Sequence, residues 1–273
     1  MKIIFLGTGG GRIVTYTQAR ATGGFILELG NNQVHVDPGP GALLRCIQHK
    51  INPRNTNILF LSHDHFDHVA GAWEIVEAMT GGGLRKGKKM LVGNKSCIEG
   101  NVERKIGGKV EKFSRVVQDY WYNLLEIRTL EAGKVIEFNG IKIEGCKAIH
   151  EDPNSIGVIF KFGGKKIGYT SDTEYSKEVA MQYRGCDLLI LNVLRPDDAR
   201  WPMHMCTQEV IEFINDCKVE NVILQHFGMK MLRSGPEREA NTIKASTGKN
   251  VIAAKDGLVI DIERFLSGSL LRF

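Results

Sequence analysis

No two cysteines of this chain are spaced C-x-x-C. The six it has (Cys46, Cys97, Cys146, Cys186, Cys206 and Cys217) are scattered over 273 residues. That argues against a separate zinc–thiolate site and leaves reduced, packed thiols as the expectation. No apolar run approaches the ~18 residues that a spanning helix needs, so no membrane partner is expected. The apolar part of Met1–Gly7 is too short for a signal peptide and reads as a first strand; the expected location is cytoplasmic. Nor does charge of one sign dominate. A net charge of +5, with 42% hydrophobic and 25% charged residues, describes an ordinary globular chain and excludes a disordered one. The length allows one large domain or two ordinary ones, with a substantial core in either case.

The charge is unevenly placed. Residues 81–115 hold ten Lys/Arg against three Glu, or +7, which leaves −2 for the rest of the chain. A basic segment on a near-neutral body attracts phosphate-bearing ligands. A solvated, lysine-rich surface insertion would have the same composition.

Short strands are expected at 2–6, 24–29 and 33–36, separated by Gly-rich and Asn-Asn turns. The sharp turn Asp37-Pro38-Gly39-Pro40-Gly41 leads into a helix over 42–50, then a strand at 58–61 and a helix over 70–79. Residues 80–130 give no clear pattern. From Val135 strands return at 135–138, 141–149, 156–162 and 166–170, with Asn139-Gly140 and Gly163-Gly164 as hairpin turns. Helices at 174–183, 207–217 and 236–246 alternate with strands at 188–192, 222–225, 250–253 and 258–262. Two β-rich halves, each ending in helices, fit a mixed α/β (α+β) fold of two sheets packed face to face with helices outside. No linker separates the halves, so one domain over 1–273 is expected, with a basic insertion at about 80–130.

The most informative stretch is Leu61-Ser62-His63-Asp64-His65-Phe66-Asp67-His68, which follows an apolar strand. His63, His65, Asp67 and His68 fall within six positions. Imidazole and carboxylate suit zinc, manganese or iron, and a spacing of two lets neighbouring side chains converge on one ion. Three later residues share that setting, a polar group at the end of an apolar strand: His150, Asp172 and His226.

With these seven residues the chain resembles the metallo-β-lactamase superfamily. Its motif H-x-H-x-D-H is matched by His63, His65, Asp67 and His68, and its later His, Asp and His by His150, Asp172 and His226. Gly7-Thr8-Gly9-Gly10 and the Val36-Asp37-Pro38-Gly39 turn are similar as well. The resemblance implies a four-layer αββα sandwich with two divalent ions, zinc first, manganese or iron as alternatives. It implies that His63, His65 and His150 hold one ion, that Asp67, His68 and His226 hold the other, and that Asp172 bridges them. Two such ions can share a water and lower its pKa toward neutrality, with Asp67 orienting the nucleophile or accepting its proton. Asp64, His35 and His49 have no ligand role in the pattern and are expected to be structural or exposed.

Within the superfamily the chain is most similar to the RNase Z and cyclic phosphodiesterase branch, through Leu6-Gly7-Thr8-Gly9-Gly10, Gly168-Tyr169-Thr170-Ser171-Asp172 and His204. In RNase Z a histidine at that last place, followed by Ser or Thr, helps to protonate the leaving group; here Met205-Cys206-Thr207 follows. Bacterial RNase Z inserts a tRNA-gripping arm between the third histidine and the bridging aspartate, an interval that here holds one short hairpin. The cysteine-rich extra metal site of the phosphoribosyl cyclic phosphate phosphodiesterases has no counterpart either. The expected activity is a two-metal phosphodiesterase, with Asp67 and His204 as catalytic residues and RNA, a cyclic phosphate or a small phosphodiester as substrate. Hydrolysis of a thioester or lactone by the same metals is the alternative, and a non-catalytic RNA-binding protein a third reading. A redox flavodiiron role is disfavoured, because that branch has H-x-E-x-D and the second position here is His65. Relatives often form homodimers, so a second copy joins the substrate among the expected partners.

Overall fold

The computed structural model describes residues 1–84, 88–106 and 108–268. The first of two seven-stranded sheets runs, edge to edge, Val259–Asp261, Lys2–Phe5, Phe25–Leu29, Asn32–Val36, Thr56–Leu61, Met90–Gly93 and Glu126–Thr129. The second runs Asn250–Ala253, Asn221–Gln225, Leu188–Asn192, Lys165–Tyr169, Ile156–Phe162, Ile141–Lys147 and Val135–Phe138. A separate antiparallel hairpin joins Val102–Ile106 to Lys109–Phe113.

Alternation of side chains along each strand sets the layers. In Thr56–Leu61, Ile58 and Phe60 turn to the second sheet, while Leu59 and Leu61 turn to the helices. Phe60 meets Phe160 edge-on at 5.9 Å, and Phe25 meets Tyr169 at 5.1 Å, so aromatic pairs stitch the inter-sheet layer. Helices Ala42–Gln48 and Ala72–Thr80 cover the outer face of the first sheet with Ala42, Cys46, Ile75 and Met79. Thr207–Cys217 and Pro236–Thr247 cover the second with Val210, Phe213, Ile214 and Ile243. Each such fully buried aliphatic or aromatic side chain contributes roughly 1.5–3 kcal/mol. The result is the helix–sheet–sheet–helix sandwich.

Outside 80–130, the structure differs from the sequence reading at element ends and in short helices that it does not expect, Arg12–Thr17, Met229–Ser234 and Ile262–Leu266. The helix expected over 70–79 is a turn, Phe66–Val69, followed by Ala72–Thr80, and the one expected over 174–183 begins at Lys177. Segment 80–130 supplies two short parallel strands to the first sheet, Met90–Gly93 and Glu126–Thr129, and the hairpin between them. All six cysteines are free and buried. His35 is fully buried and donates through Nε2 to the Gly23 carbonyl at 2.9 Å; burial pushes its pKa down to about 4, so it is a neutral core residue. No helix among the described residues is long and apolar enough to cross a membrane.

The topology puts chemistry at one edge. In the first sheet the run from Asn32–Val36 through Glu126–Thr129 is parallel, and in the second so is the run from Lys165–Tyr169 through Asn250–Ala253. Their carboxyl ends open on the same side, where ligands of open α/β sheets collect. Asp37, His63, Asp172 and His226 all lie just beyond such ends. A backbone bond from Ile156 N to Ser62 O, 3.2 Å, ties the two sheets there.

Candidate metal centre

Asp172 Oδ2 is the hub of this edge. Five imidazole nitrogens lie around it: Nε2 of His204 and of His226 at 3.2 Å, of His68 at 3.4 Å, and of His63 and His150 at 3.9 Å. The other oxygen, Oδ1, accepts a 2.7 Å bond from Asn192 Nδ2, which fixes the carboxylate plane. Around the hub, ligand-type atoms gather in trios whose members lie within 4.8 Å of one another: His63, His65 and His150; Asp67, His68 and His226; His150, Asp172 and His204.

Outer hydrogen bonds set which ring nitrogen faces inward. His68 Nδ1 donates to Asp37 Oδ2 at 2.9 Å, and His150 Nδ1 donates to the Met203 carbonyl at 2.9 Å. His204 Nδ1 donates to the Pro202 carbonyl at 3.0 Å. His63 Nδ1 donates to Ser62 Oγ at 2.9 Å, and that hydroxyl donates in turn to Asp37 Oδ2 at 2.6 Å. Asp37 also accepts from Tyr169 OH at 2.8 Å, so one buried carboxylate aligns two rings. The inward nitrogens are then crowded together. His65 Nδ1 and His150 Nε2 are 3.0 Å apart and His68 Nε2 and His226 Nε2 3.1 Å apart, while buried His63 Nε2 has no hydrogen-bond partner.

Lone pairs at that distance need a proton or a cation between them. The carboxylates ask for the same thing. Burial alone would raise the Asp172 pKa, but the neighbouring His226 and His68 and the bond from His204 hold it well below the usual carboxylate range. Asp67 is held low in the same way, chiefly by His68 and His226 against the effect of burial. Burial would keep His68 neutral, yet Asp172 and Asp67 push it well above the ordinary histidine value. His63 is driven well below that value by burial and by the His68, His65 and His150 charges. His150 falls to about 3, again from burial first, and Asp172 only partly offsets it. A buried pocket that attracts positive charge through two carboxylates and offers neutral nitrogens fits divalent cations with N/O preference.

Backbone strain is concentrated here. Asp37, Ser171, Met203 and His226 are non-glycine residues with φ of 49°, 56°, 61° and 65°, a conformation that costs of order 1–3 kcal/mol each and collects at functional sites. At Met203 it accompanies the carbonyl that holds His150. Gly10 is required for a different reason: a Cβ there would lie 2.3 Å from the His226 ring. Gly10→Ala is therefore expected to destabilise the fold by about 1–3 kcal/mol through overpacking and to weaken metal binding, both readable by thermal melts with and without zinc.

The structure thus brings His63, His65, Asp67, His68, His150, Asp172, His204 and His226 to one place. Of their supports, Asp37 and Tyr169 enter the sequence reading only as parts of motifs, without a supporting role, and Ser62 and Asn192 have none, although Asn192 ends an apolar strand. Asp64 lies outside the cluster and pairs with Arg104. Among the described residues, no lysine or arginine of the basic segment pairs with a member of the cluster. Arg104 is engaged with Asp64, Arg115 pairs with Asp119 and lies over Tyr122, and Lys89 donates to the Arg54 and Thr56 carbonyls, at the far end of its strand. Lys105, Lys109 and Lys112 are exposed on the hairpin, while Arg85 and Lys86 lie outside the described residues.

The family model for the beta-lactamase superfamily domain matches residues 32–227. The chain belongs to the metallo-β-lactamase superfamily. An uncharacterized protein of Methanocaldococcus jannaschii is 38% identical over 265 residues, covering 96% of this chain and 95% of its own. The ribonuclease Z of Thermococcus sibiricus is 23% identical over 297 residues, covering 89% and 91%, in keeping with an RNase Z-like branch. Among solved structures, the metallo-beta-lactamase fold protein YhfI from Bacillus subtilis aligns with a TM-score of 0.74 at 20% identity, over 95% of this chain and 98% of that one. Membership of this superfamily, together with the convergent His/Asp trios, supports a metal-dependent hydrolase.

Proposed function

We propose that this metallo-β-lactamase relative is a two-metal phosphodiesterase, acting on RNA, a cyclic phosphate or a small phosphodiester. One domain over 1–273 would carry it, with an insertion at about 80–130. The observation that carries the reading is His204. It is a further imidazole on Asp172, outside the trios His63–His65–His150 and Asp67–His68–His226 that would each hold an ion. Asp172 would lie between the two. Zinc suits this N/O set, and manganese or iron would be accepted by the same atoms. Such ions, when bound, supply Lewis acidity and an activated water.

The chain's own residues do the rest. Asp67 Oδ2 accepts the Gly11 N–H at 2.8 Å, and that bond fixes the carboxylate to orient the attacking group. Burial alone would lower the His204 pKa, but its bond to Asp172 and the Asp172 charge raise it. With Nδ1 on the Pro202 carbonyl, the protonated ring would present its Nε2 proton beside the reaction centre, 3.2 Å from Asp172 Oδ2. A phosphodiester's departing alkoxide needs that proton, which is the role expected of a general acid. A thioester's departing thiolate has less need of it. The ribonuclease Z of Thermococcus sibiricus supports a phosphodiester substrate by similarity. Reduced, buried cysteines are in keeping with work in the cytoplasm. The test is turnover of bis-p-nitrophenyl phosphate against a thioester by the metal-loaded protein. Faster phosphodiester cleavage is expected, and faster thioester cleavage would overturn the reading.

A further inference from the structure

Arg104 stands on the Val102–Ile106 strand of the isolated hairpin, yet its guanidinium is buried in the body of the protein. NH1 and NH2 donate to the two oxygens of Asp64 at 2.7 and 2.6 Å, a bidentate fork, and NH2 also reaches Asp152 Oδ1 at 3.0 Å. The side chains are 10%, 5% and 0% exposed for Arg104, Asp64 and Asp152. Phe113, from the other strand of the hairpin, lies under the guanidinium with its ring centre 4.7 Å away. Asp152 is held as well by Asn94 Nδ2 at 2.8 Å, Ser96 Oγ at 2.6 Å and Asn154 N at 3.0 Å. This network touches no ligand-type nitrogen and has no part in the function argued above.

Its place in the chain gives it a role. Asp64 is flanked by His63 and His65, and Asp152 lies two residues beyond His150. One planar cation from a third segment therefore spans the two loops that supply the trio His63, His65 and His150. Those loops come from different sheets, and their inward nitrogens, His65 Nδ1 and His150 Nε2, stand 3.0 Å apart. We propose that Arg104 is a positioning residue: it fixes the separation of the His63/His65 loop and the His150 loop, and so sets the affinity of the first metal site. The second site, at Asp67, His68 and His226, draws no residue from the His150 loop, so that separation does not set its geometry. The inference rests on the two-ion reading of the centre.

Charge and geometry predict opposite signs for the loss of Arg104. Removing a cation leaves Asp64 and Asp152 unpaired and negative beside the site, which by Coulomb attraction alone would tighten a divalent ion. Loss of positioning would loosen it, typically by 10–100-fold when a residue that orients ligands is removed. Lysine keeps the charge and lacks the fork, so Arg104→Lys belongs between the two.

The experiment is titration of the metal-stripped protein with zinc against a chromophoric chelator. His150→Ala and His226→Ala assign the two binding steps. In Arg104→Ala the step that His150→Ala abolishes is expected to weaken by 10–100-fold, while the His226-dependent step stays put; Arg104→Lys recovers part of the loss. Should Arg104→Ala not fold, Arg104→Lys and Asp64→Asn carry the test, with the same step weakened in each. A His150-dependent step that is unchanged or tighter would overturn the proposal. So would equal weakening of both steps, the mark of a merely structural role. A single step in the parent protein would instead overturn the two-ion reading, and Arg104 would still be judged on the ion that His150→Ala removes.

Discussion

Asp172→Asn is expected to lower phosphodiesterase turnover by about three orders of magnitude or more and to strip the protein of tightly bound metal. Two polarising ions supply several kcal/mol of charge stabilisation in such sites, and each ~1.4 kcal/mol is a factor of ten in rate. Among the described residues, Asp172 is the one side chain whose oxygen faces Nε2 of His63, His68, His150, His204 and His226 together, all within 4 Å. Asparagine preserves its shape but presents either a neutral oxygen or an N–H donor to those nitrogens. The loss should therefore appear in metal content and in turnover together, with the far-UV circular dichroism of the folded protein retained. Asn192, which holds Oδ1 at 2.7 Å, gives a graded companion: Asn192→Ala frees the carboxylate without removing its charge, so its effect should be smaller.

His204→Ala separates proton transfer from metal binding. The ring is attached to the centre by its ion pair with Asp172 Oδ2 and aimed by its Nδ1 bond to the Pro202 carbonyl. Neither metal-holding trio of the proposal includes it, so metal content should be unchanged. General acid catalysis is worth typically 10²–10⁴-fold, and a drop of that size is expected on RNA or an alkyl phosphodiester, whose leaving oxygen must be protonated. On bis-p-nitrophenyl phosphate the drop should be far smaller, because p-nitrophenolate departs without a proton. A loss that is equal for both leaving groups would remove the general-acid role; lost metal would make His204 a ligand instead.

The layers and the seven ligand-type residues were legible in the sequence for a local reason. Near-continuous apolar strands such as 58–61 and 222–225, buried on both faces, announce themselves, and the first polar residues after them lie at a strand end. The parallel arrangement then collects His63, Asp172 and His226 on one side. What local pattern does not encode is who holds those side chains. Asp37 and Tyr169 are 132 positions apart and Arg104 and Asp64 are 40 apart, so their pairing exists only once the sheets have packed. Segment 80–130 is illegible because its strands, Met90–Gly93 and Glu126–Thr129, are only four residues each and its hairpin is mostly exposed, with Val102, Arg104 and Phe113 half-buried among its described side chains. Its positive charges fit a polyanion patch and a solvated surface equally well. Packing puts Arg104 to structural use and sends Lys89 to the opposite edge.

The most direct test of the two-metal phosphodiesterase is to strip the protein of metal, add zinc back in steps, and follow bis-p-nitrophenyl phosphate and thioester hydrolysis against ions bound per chain. Phosphodiester cleavage that is absent without metal, rises with the second ion and is lost in Asp67→Ala is the predicted result. A protein that carries two ions, leaves the phosphodiester intact and hydrolyses the thioester would contradict it.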